Sequence, residues 1–423
     1  MDSKVTGSED CTARIWDLRT DRAQKCFAGC FNNNAVDSVL FSTKSAGHAP
    51  AELLAASGSN VILFDLRKEG IVDRVPRAIV CVKANPGIED EDGCDINAIS
   101  IHPKGHTLAA GMDDGSIRVI DLQRVRERSP ANAPQPQLLS DCVNTLGWNS
   151  RGRTHAHSNI VSTVCYRPAP LSSTELISGS FDCCIQLWEQ GVGRRKGSYA
   201  FTSDSQMESV NGGVGKAAAD MGPLLNPPFV HACSYACNGR AILCGNGDGA
   251  LNILHANTLQ HVHKVEAHTG FVSSVHVPNS GGLDNSSTPP EATAIGHIAF
   301  TGGNDCIIQA WHIVEASKAK GKKNTEGKNA HAEGPDMSLH CLWSLQHGHK
   351  INALTTLYGA SVRPANNAPE SVFGDSEQST QTQCGVAGSE SSNKVSSRAT
   401  VDLDFSLVVA DVTCDLSVYS YQG

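Results

Sequence analysis

The chain has 423 residues, a formal net charge of −9 at pH 7 and a pI near 6.0, with 40% hydrophobic and 18% charged residues. This net negative charge gives no reason to predict the positively charged surface that nucleic-acid binding requires. No stretch of 18 apolar residues predicts a membrane-spanning helix, and residues 1–4 do not begin a signal peptide. We therefore expect a cytoplasmic and/or nuclear protein that binds neither nucleic acid nor a membrane.

The opening segment introduces a repeat that organises the chain. TGSEDCTARIW at 6–16 recurs as SGSFDCCIQLW at 178–188 and as TGGNDCIIQAW at 301–311. In all three copies a hydroxyl residue lies ten positions before Trp, and an Asp lies six positions before it. Degenerate copies occupy 55–66, 110–122 and 244–254. Self-similarity of this kind is typical of a repeat architecture.

Each copy predicts two strands joined by a Gly/Asp turn, because an apolar run precedes the turn and alternating apolar residues follow it. A further apolar segment lies upstream of most copies, and candidate fourth strands such as RAIVCVK at 77–83 lie between them. Four strands per repeated unit predict a β-propeller. The spacing between copies exceeds the roughly 40–45 residues of a bare repeat, so the excess length must form loops.

This pattern resembles the WD40 family over nearly the whole chain, which implies one all-β, seven-bladed propeller domain over residues 4–423. It also implies structural tetrads, in which a Trp indole, a hydroxyl, a His and an Asp form a hydrogen-bond chain worth on the order of 1 kcal/mol per bond. The residues concerned are Thr6, Asp10 and Trp16; His157, Ser178, Asp182 and Trp188; and His268, Thr301, Asp305 and Trp311. We interpret them as structural and predict no catalytic residues.

A count of the predicted strands indicates an incomplete first blade. The opening fragment supplies three strands, five further units supply four each, and the last supplies three, whereas seven complete blades need 28. The two missing strands are the N-terminal inner strand of the first blade and the strand that closes the ring against the last blade. We expect an incomplete N-terminus; a propeller closed by lateral packing alone is the alternative.

Five insertions are predicted to be loops or disordered segments from their Ser, Gly, Pro, Gln and Lys content. They span 124–150, 203–223, 279–296, 315–338 and 359–400. The basic stretch SKAKGKKNTEGK at 317–328 could serve nuclear import or bind an acidic partner, but we favour the simpler interpretation of a solvated loop.

Cysteines and histidines do not predict a metal centre. The 16 cysteines lie in strand-like segments, where they behave as small apolar residues in a reducing compartment. His231, Cys233 and Cys237 in HACSYAC would share one face of a strand, but zinc needs a fourth ligand that the spacing does not supply. We expect no metal and no cofactor.

Two adjacent units end in Asp-x-Arg, as WDLR at 16–19 and FDLR at 64–67. In WD40 proteins this resembles the WDxR box of substrate receptors that dock on the adaptor of cullin-4 RING ubiquitin ligases. The resemblance implies Asp17, Arg19, Asp65 and Arg67 as partner-binding residues, with Arg presenting a planar donor fork. Each Arg could instead be only a surface ion-pair partner of its own Asp. Phe64 departs from the Trp of the box.

Three functions remain open from the sequence. A substrate receptor would bridge a target protein to the ligase through the Asp-x-Arg boxes. A general scaffold, or a reader of peptides or chromatin tails, would use the opposite face and have an acidic opening lined by aromatic residues. An enzyme has no support, since no nucleophile with an oriented base, metal-ligand set or phosphate loop is present. We expect protein partners and a monomer.

Overall fold

A computed structural model of the chain describes fourteen segments. These are residues 3–18, 20, 22–42, 51–82, 94–130, 135–146, 156–168, 171, 174–202, 226–278, 297–315, 336–358, 405–411 and 416–421. Together they contain 28 β-strands in seven sheets and one α-helix. The chain divides into one unit of Met1–Thr355 with Val409–Ser417 and a smaller unit of Thr356–Val408 with Val418–Gly423.

The first two sheets each combine an antiparallel ladder with one parallel strand at the edge. The first sheet has the order β1 (Ser3–Gly7), β2 (Thr12–Asp17), β3 (Arg22–Ala28) and β7 (Val72–Asp73). The second has the order β4 (Ser38–Phe41), β5 (Glu52–Ser57), β6 (Asn60–Asp65), β8 (Ala78–Cys81) and β12 (Gln137–Leu139). Strands β7 and β12 run parallel to β3 and β8, so they cover edges that would otherwise be unpaired.

Sheets three to six are four-stranded antiparallel meanders. The third contains β9 (Ile96–Ile101), β10 (Thr107–Met112), β11 (Ile117–Asp121) and β13 (Val143–Thr145), and the fourth β14 (Val161–Tyr166), β15 (Glu175–Ser180), β16 (Cys184–Glu189) and β17 (Arg194–Ala200). The fifth contains β18 (Val230–Ala236), β19 (Ala241–Asn246), β20 (Ala250–His255) and β21 (His261–Glu266), and the sixth β22 (Val272–His276), β23 (Ile298–Gly303), β24 (Ile307–Glu315) and β25 (Met337–Gln346). The seventh sheet has the order β26 (Ile351–Tyr358), β27 (Phe405–Asp411) and β28 (Leu416–Tyr421).

The hydrophobic core consists of clusters that each join two successive sheets, from the first and second to the fifth and sixth. Between the first two sheets, the rings of Phe27 on β3 and Phe64 on β6 lie 4.5 Å apart between centroids. Such burial is the main favourable term in folding. Every one of these sheets therefore depends on its neighbours for stability, as in a propeller.

A glycine on the second strand of a sheet lets the first strand of the next sheet approach closely. A Cβ on Gly179 of β15 would lie within 3.0 Å of Val230 Cγ1, and one on Gly302 of β23 would lie equally near Ile351 Cγ2. The same relation links Gly7 to Val36, Gly111 to Val161 and Gly245 to Val272. At these five boundaries glycine is required because a side chain would not fit, and not because the backbone adopts an unusual conformation.

Serine hydroxyls bridge the same boundaries. Ser162 on β14 donates to the Gly179 carbonyl at 3.2 Å and also contacts the Val230 carbonyl. Ser273 on β22 repeats the arrangement with Gly302 and Ile351. These bonds fix the position of one sheet's first strand against the next.

Strand β1 carries the hydroxyl residue Thr6, whereas the equivalent residues of the fourth and sixth sheets lie on β15 and β23, their second strands. Strand β1 therefore corresponds to a second strand, and no strand precedes it in the described part of the first sheet. Within the larger unit, Lys4 Nζ donates to Thr355 Oγ1 at 2.9 Å. The first sheet has four strands rather than the predicted three because β7 joins it.

The predicted insertion at 124–150 is corrected by the structure, which places regular elements there. Helix α1 (Leu122–Arg128) begins at the cap Asp121, whose carboxylate accepts from two backbone N–H groups, and β12 and β13 follow. The described parts of this segment are held in place because Val125, Leu139 and Cys142 join the core between the second and third sheets. The insertions at 203–223, 279–296 and 359–400 lie outside the described residues, as does 316–335 within 315–338.

Across the described ranges, none of the helices combines the length and the apolar character needed to span a membrane.

Candidate functional site

The fourth sheet brings together all four side chains predicted to form a tetrad. Trp188 Nε1 donates to Ser178 Oγ at 2.9 Å, Ser178 Oγ lies 2.8 Å from His157 Nε2, and His157 Nδ1 lies 3.0 Å from Asp182 Oδ2. Because the indole can only donate and the carboxylate can only accept, the chain is consistent when the hydroxyl donates to Nε2 and Nδ1–H donates to the carboxylate. A neutral His157 satisfies every bond.

The electrostatics of Asp182 also indicate a structural role. Burial alone would raise the pKa of this carboxyl, but hydrogen bonds from His157 and from the backbone N–H groups of Ser158 and Cys184 bring its pKa below the usual range. The carboxylate is therefore held ionised by fixed donors. No nucleophile is exposed by this arrangement, since Ser178 is fully buried and uses its hydroxyl within the chain.

The sixth sheet repeats this geometry. Trp311 Nε1 donates to Thr301 Oγ1 at 2.9 Å, Thr301 Oγ1 lies 2.8 Å from His268 Nε2, and His268 Nδ1 lies 3.0 Å from Asp305 Oδ1. Burial lowers the pKa of His268, although Asp305 opposes the shift. The imidazole is therefore neutral near pH 7, which matches the donor pattern of the chain.

The first copy forms only part of a tetrad. Trp16 Nε1 donates to Thr6 Oγ1 at 2.9 Å, whereas Asp10 accepts from Thr12 N at 3.0 Å and pairs with Arg14 Nη2 at 2.8 Å. Asp10 is exposed and binds within its own turn instead of binding a His.

One related pair was missed at the sequence level. His347 Nε2 lies 2.8 Å from Asp411 Oδ2, and both residues are buried. The available signal was spacing, because His157, His268 and His347 each lie four residues before the branched residue that begins the next first strand. The aspartate could not be found in this way, since it lies 64 residues further along the chain.

Of the predicted partner-binding residues, Asp65 and Arg67 form a bidentate ion pair at the end of β6. Arg67 Nε donates to Asp65 Oδ1 at 2.8 Å and Arg67 Nη2 to Oδ2 at 2.6 Å, while the Arg67 backbone N–H also donates to Oδ1. The Asp65 side chain is 4% exposed and the Arg67 side chain 64%. These bonds hold the pKa of Asp65 below its usual range. The carboxylate thus fixes an exposed guanidinium.

The first predicted box, WDLR at 16–19, is described only in part. Asp17 is the last residue of β2 and is buried. Arg19 lies outside the described residues.

Exposed apolar side chains follow Arg67 closely in the sequence. Ile71 is 71% exposed, and Val72 and Val75 are about half exposed, although all three are branched aliphatic residues. The segment is braced because Lys68 Nζ donates to the Val75 carbonyl at 3.0 Å. We call Arg67, Ile71, Val72 and Val75 the Arg67 surface. Exposed apolar side chains beside a fixed charge are typical of a protein-binding surface.

The opposite strand ends carry two other groups of side chains. An aromatic group consists of Phe181, Phe229, His231 and Phe271, with His231 stacked on Phe271 at 4.6 Å and Phe181 at 4.9 Å from His231. An acidic group consists of Asp37, Asp95 and Asp113. Burial, followed by the charges of Asp95 and Asp113, raises the pKa of Asp37. The members of both groups precede first strands or follow second strands, except His231, which is the second residue of β18. Both groups therefore lie at the same ends of their sheets.

Comparison with known proteins finds two family models, both of WD40 repeats. A family model described as the anaphase-promoting complex subunit 4 WD40 domain matches residues 53–151, and one described as WD domain, G-beta repeat matches 141–189. A WD repeat-containing protein 53 homolog from Dictyostelium discoideum is 25% identical over 360 residues, which cover 83% of this chain and 82% of the relative. The chain is a WD40-repeat protein.

The similarity to WD repeat-containing protein 53 was also predicted from three segments of the sequence, at 222–253, 301–312 and 345–354, and that prediction is confirmed at the level of a homolog. A guanine nucleotide-binding protein subunit beta from Solanum tuberosum is 24% identical over 149 residues, or 35% of this chain and 36% of the relative. A chain from a crystal structure of the mitotic checkpoint complex has a TM-score of 0.50 at 14% identity, over 83% of this chain and 76% of that one. This likeness concerns the fold alone, and it confirms the predicted class of an all-β, seven-bladed propeller.

WD40-repeat proteins are typically non-enzymatic scaffolds that bind other proteins. The predicted protein-interaction scaffold is confirmed at this level. In the fourth and sixth sheets, the polar atoms of the His, hydroxyl and Asp side chains are occupied by one another.

Proposed function

We propose that this WD40-repeat protein is a substrate receptor that docks on the adaptor of a cullin-4 RING ubiquitin ligase through the Arg67 surface and Arg19. The observation that supports the proposal is the ion pair at the end of β6, in which a buried carboxylate orients an exposed guanidinium. The remaining surface of the receptor would bind a target protein.

The guanidinium offers its outer edge to a partner. Arg has five N–H donors in a planar fork, and Asp65 takes the Nε–H and one Nη2–H. The other Nη2–H and both Nη1–H groups point away from Asp65, so they remain suited to a partner's carbonyl or carboxylate. The sequence predicted that the whole guanidinium would face the partner. In the structure, the edge formed by Nε and Nη2 is bonded to Asp65.

The test is direct binding between the purified chain and the purified adaptor. We expect Arg67→Ala combined with Arg19→Ala to weaken binding at least about 10-fold, as loss of an interface hot spot does. Arg74→Ala is the matched control, because Arg74 is an exposed arginine of the same segment outside the Arg67 surface. Unchanged affinity in the double variant, with an unchanged far-ultraviolet circular dichroism spectrum, would refute docking through these arginines.

A second candidate function is supported by the opposite strand ends. The aromatic group and the acidic group suit a reader of a lysine-containing peptide or chromatin tail, since aromatic faces and carboxylates both attract an ammonium group. In that case a lysine-rich peptide would lose affinity in Asp37→Asn and Asp95→Asn variants, and it would bind the Arg67→Ala variant normally. Peptide binding that is indifferent to both aspartates would exclude this alternative.

We also propose that, within the part of the chain that the structure describes, the first sheet is a blade that lacks its inner strand. The position of Thr6 on β1, equivalent to Ser178 on the second strand of its sheet, supports this. Hydrogen exchange provides the test, because amides on the unpaired side of β1 should exchange faster than those of β15, which is paired on both sides. Equal protection of both strands would contradict the proposal.

A further inference from the structure

Three side chains with metal-ligating atoms converge where the fifth and sixth sheets pack together. Cys237 lies in the 3-10 turn Cys237–Gly239 between β18 and β19, His297 directly precedes β23, and Glu315 ends β24. One ligand atom from each residue lies within 4.8 Å of the other two. Cys237 is buried, and His297 and Glu315 are half-buried.

The spacing fits a tetrahedral ion. Cys237 Sγ and His297 Nδ1 are 3.7 Å apart. With Zn–S near 2.3 Å and Zn–N near 2.0 Å, a tetrahedral zinc ion separates its sulfur and nitrogen ligands by about 3.5 Å. An ion could therefore bind between these two atoms with only a small shift of either side chain.

The backbone of the turn holds Cys237 towards the sixth sheet. Cys237 and Asn238 adopt φ angles of +50° and +54°, a region that residues with a side chain rarely occupy. Cys233, four residues earlier, belongs instead to the core between the fourth and fifth sheets, whereas Cys237 belongs to the core between the fifth and sixth. The sequence predicted that His231, Cys233 and Cys237 share one face of a strand. This prediction is wrong for Cys237, which lies in the turn after β18 and packs towards the sixth sheet.

The charge of the cluster also suits a cation. Glu315 Oε1 is shielded from solvent, and its negative charge is balanced by Arg240, whose Nη2 forms an ion pair with it at 2.8 Å. A divalent ion could balance that charge instead, since it stabilises a thiolate and a carboxylate together.

We propose that Cys237, His297 and Glu315 bind a zinc ion through one sulfur, one nitrogen and one oxygen atom, with the fourth position taken by water. On binding, the Cys237 thiol releases its proton to solvent. His297 Nδ1 gives up its 3.2 Å contact with the Ile313 carbonyl and carries its proton on Nε2 instead. The ion fastens the turn between β18 and β19 to the ends of β23 and β24, and so joins the fifth sheet to the sixth.

Arg240 distinguishes a metal site from a purely structural ion pair. Its side chain is half exposed, and its guanidinium competes with a metal ion for Glu315. Removing this positive charge in Arg240→Ala should tighten zinc binding. If the cluster were only a structural ion pair, Arg240→Ala would leave an unpaired carboxylate and gain no metal affinity.

The experiment is titration of the purified full chain with Co²⁺ as a spectroscopic probe, followed by displacement with Zn²⁺. We expect a sulfur-to-cobalt charge-transfer band, about 100-fold or greater loss of affinity in Cys237→Ser and in His297→Gln, and tighter binding in Arg240→Ala. Cys233→Ser is the matched control, because Cys233 is a buried cysteine of β18, the strand that leads into the turn, and lies outside the cluster; this variant should keep the band.

Absence of the band in the wild-type chain, or its persistence in both Cys237→Ser and His297→Gln, would overturn the proposal. If Cys237→Ser fails to fold, the other two variants still test the proposal. His297→Gln should weaken metal binding and Arg240→Ala should tighten it. Binding to the ligase adaptor is a separate readout, because the Arg67 surface belongs to the first and second sheets and shares no residue with this cluster.

Discussion

Gly179→Ala tests the close packing between successive sheets, which is the physical basis of the propeller assignment. The new methyl group would lie within 3.0 Å of Val230 Cγ1 and of Thr163 Cγ2. Carbon atoms in favourable contact are about 3.5–4.0 Å apart, so β15 and β18 would have to separate. Val230 is fully buried at the beginning of β18, and its branched side chain has few rotamers with which to avoid the methyl group.

The expected cost is about 1–3 kcal/mol, the usual range for inserting a methyl group into a packed core. We place it towards the upper end, because Ser162 also ties the Gly179 and Val230 carbonyls together and restricts separation of the strands. Gly191→Ala is the control, since a Cβ at Gly191 meets no atom within 4 Å. It should change stability by no more than about 0.5 kcal/mol.

The assay is urea unfolding followed by tryptophan fluorescence, with the midpoint and slope compared between variants. A double-mutant cycle with Val230→Ala sharpens it, because the smaller side chain makes room for the methyl group that Gly179→Ala introduces. The two substitutions together should therefore cost less than the sum of their separate effects. Equal midpoints for Gly179→Ala and Gly191→Ala, or strictly additive costs in the cycle, would refute the packing argument.

Other perturbations have equally definite outcomes. Trp188→Phe removes the donor to Ser178 and should cost about 1–3 kcal/mol in urea unfolding; an unchanged midpoint would contradict the tetrad's structural role. Burial lowers the pKa of His102 to about 4, so the unfolded state binds more protons below about pH 6.5 and stability should fall as the pH decreases from there. His102→Asn should flatten that pH dependence. Arg77→Ala removes one partner of the buried Glu52 carboxylate and should destabilise by about 3 kcal/mol, whereas a change below about 0.5 kcal/mol would show that Arg126 alone is sufficient.

The hydroxyl, Asp and Trp positions of the tetrads could be located from sequence because they recur at fixed local spacing, whereas the histidines were implied by the resemblance to the WD40 family. A hydroxyl ten residues before Trp lies diagonally across one hairpin from it, since Ser178 pairs with Gln186, two residues before Trp188. The aspartate binds the backbone of its own turn, for example through Cys184 N. These three positions need only the antiparallel register.

Contacts between segments far apart in the chain leave no local pattern in the sequence, so they could not be predicted from it. Strand β12 is three residues long and pairs with β8 in a parallel arrangement across 59 positions, from Gln137 to Ala78. The sequence around β12 has the Pro and Gln content typical of a loop. The burial of Leu139 and Cys142 in the core explains why a strand forms there. Cys237 and His297 likewise lie 60 residues apart. Packing of the folded sheets, rather than residue spacing, brings such groups together.

The geometry of the Arg67 ion pair predicts that Arg67 contributes little to the stability of the fold and more to the binding of a partner. An exposed ion pair contributes no more than about 1 kcal/mol to stability, because water and salt screen it, so Arg67→Ala should leave the propeller folded. In a partner interface the same guanidinium would be shielded from water, and loss of a charged hydrogen bond there costs more. Asp65 is different, since its carboxylate is buried and holds both the Arg67 side chain and its backbone N–H. Asp65→Asn should therefore weaken adaptor binding less than Arg67→Ala does while destabilising the fold more, and a reversed order for binding would mean that Asp65 acts on the partner otherwise than by orienting Arg67.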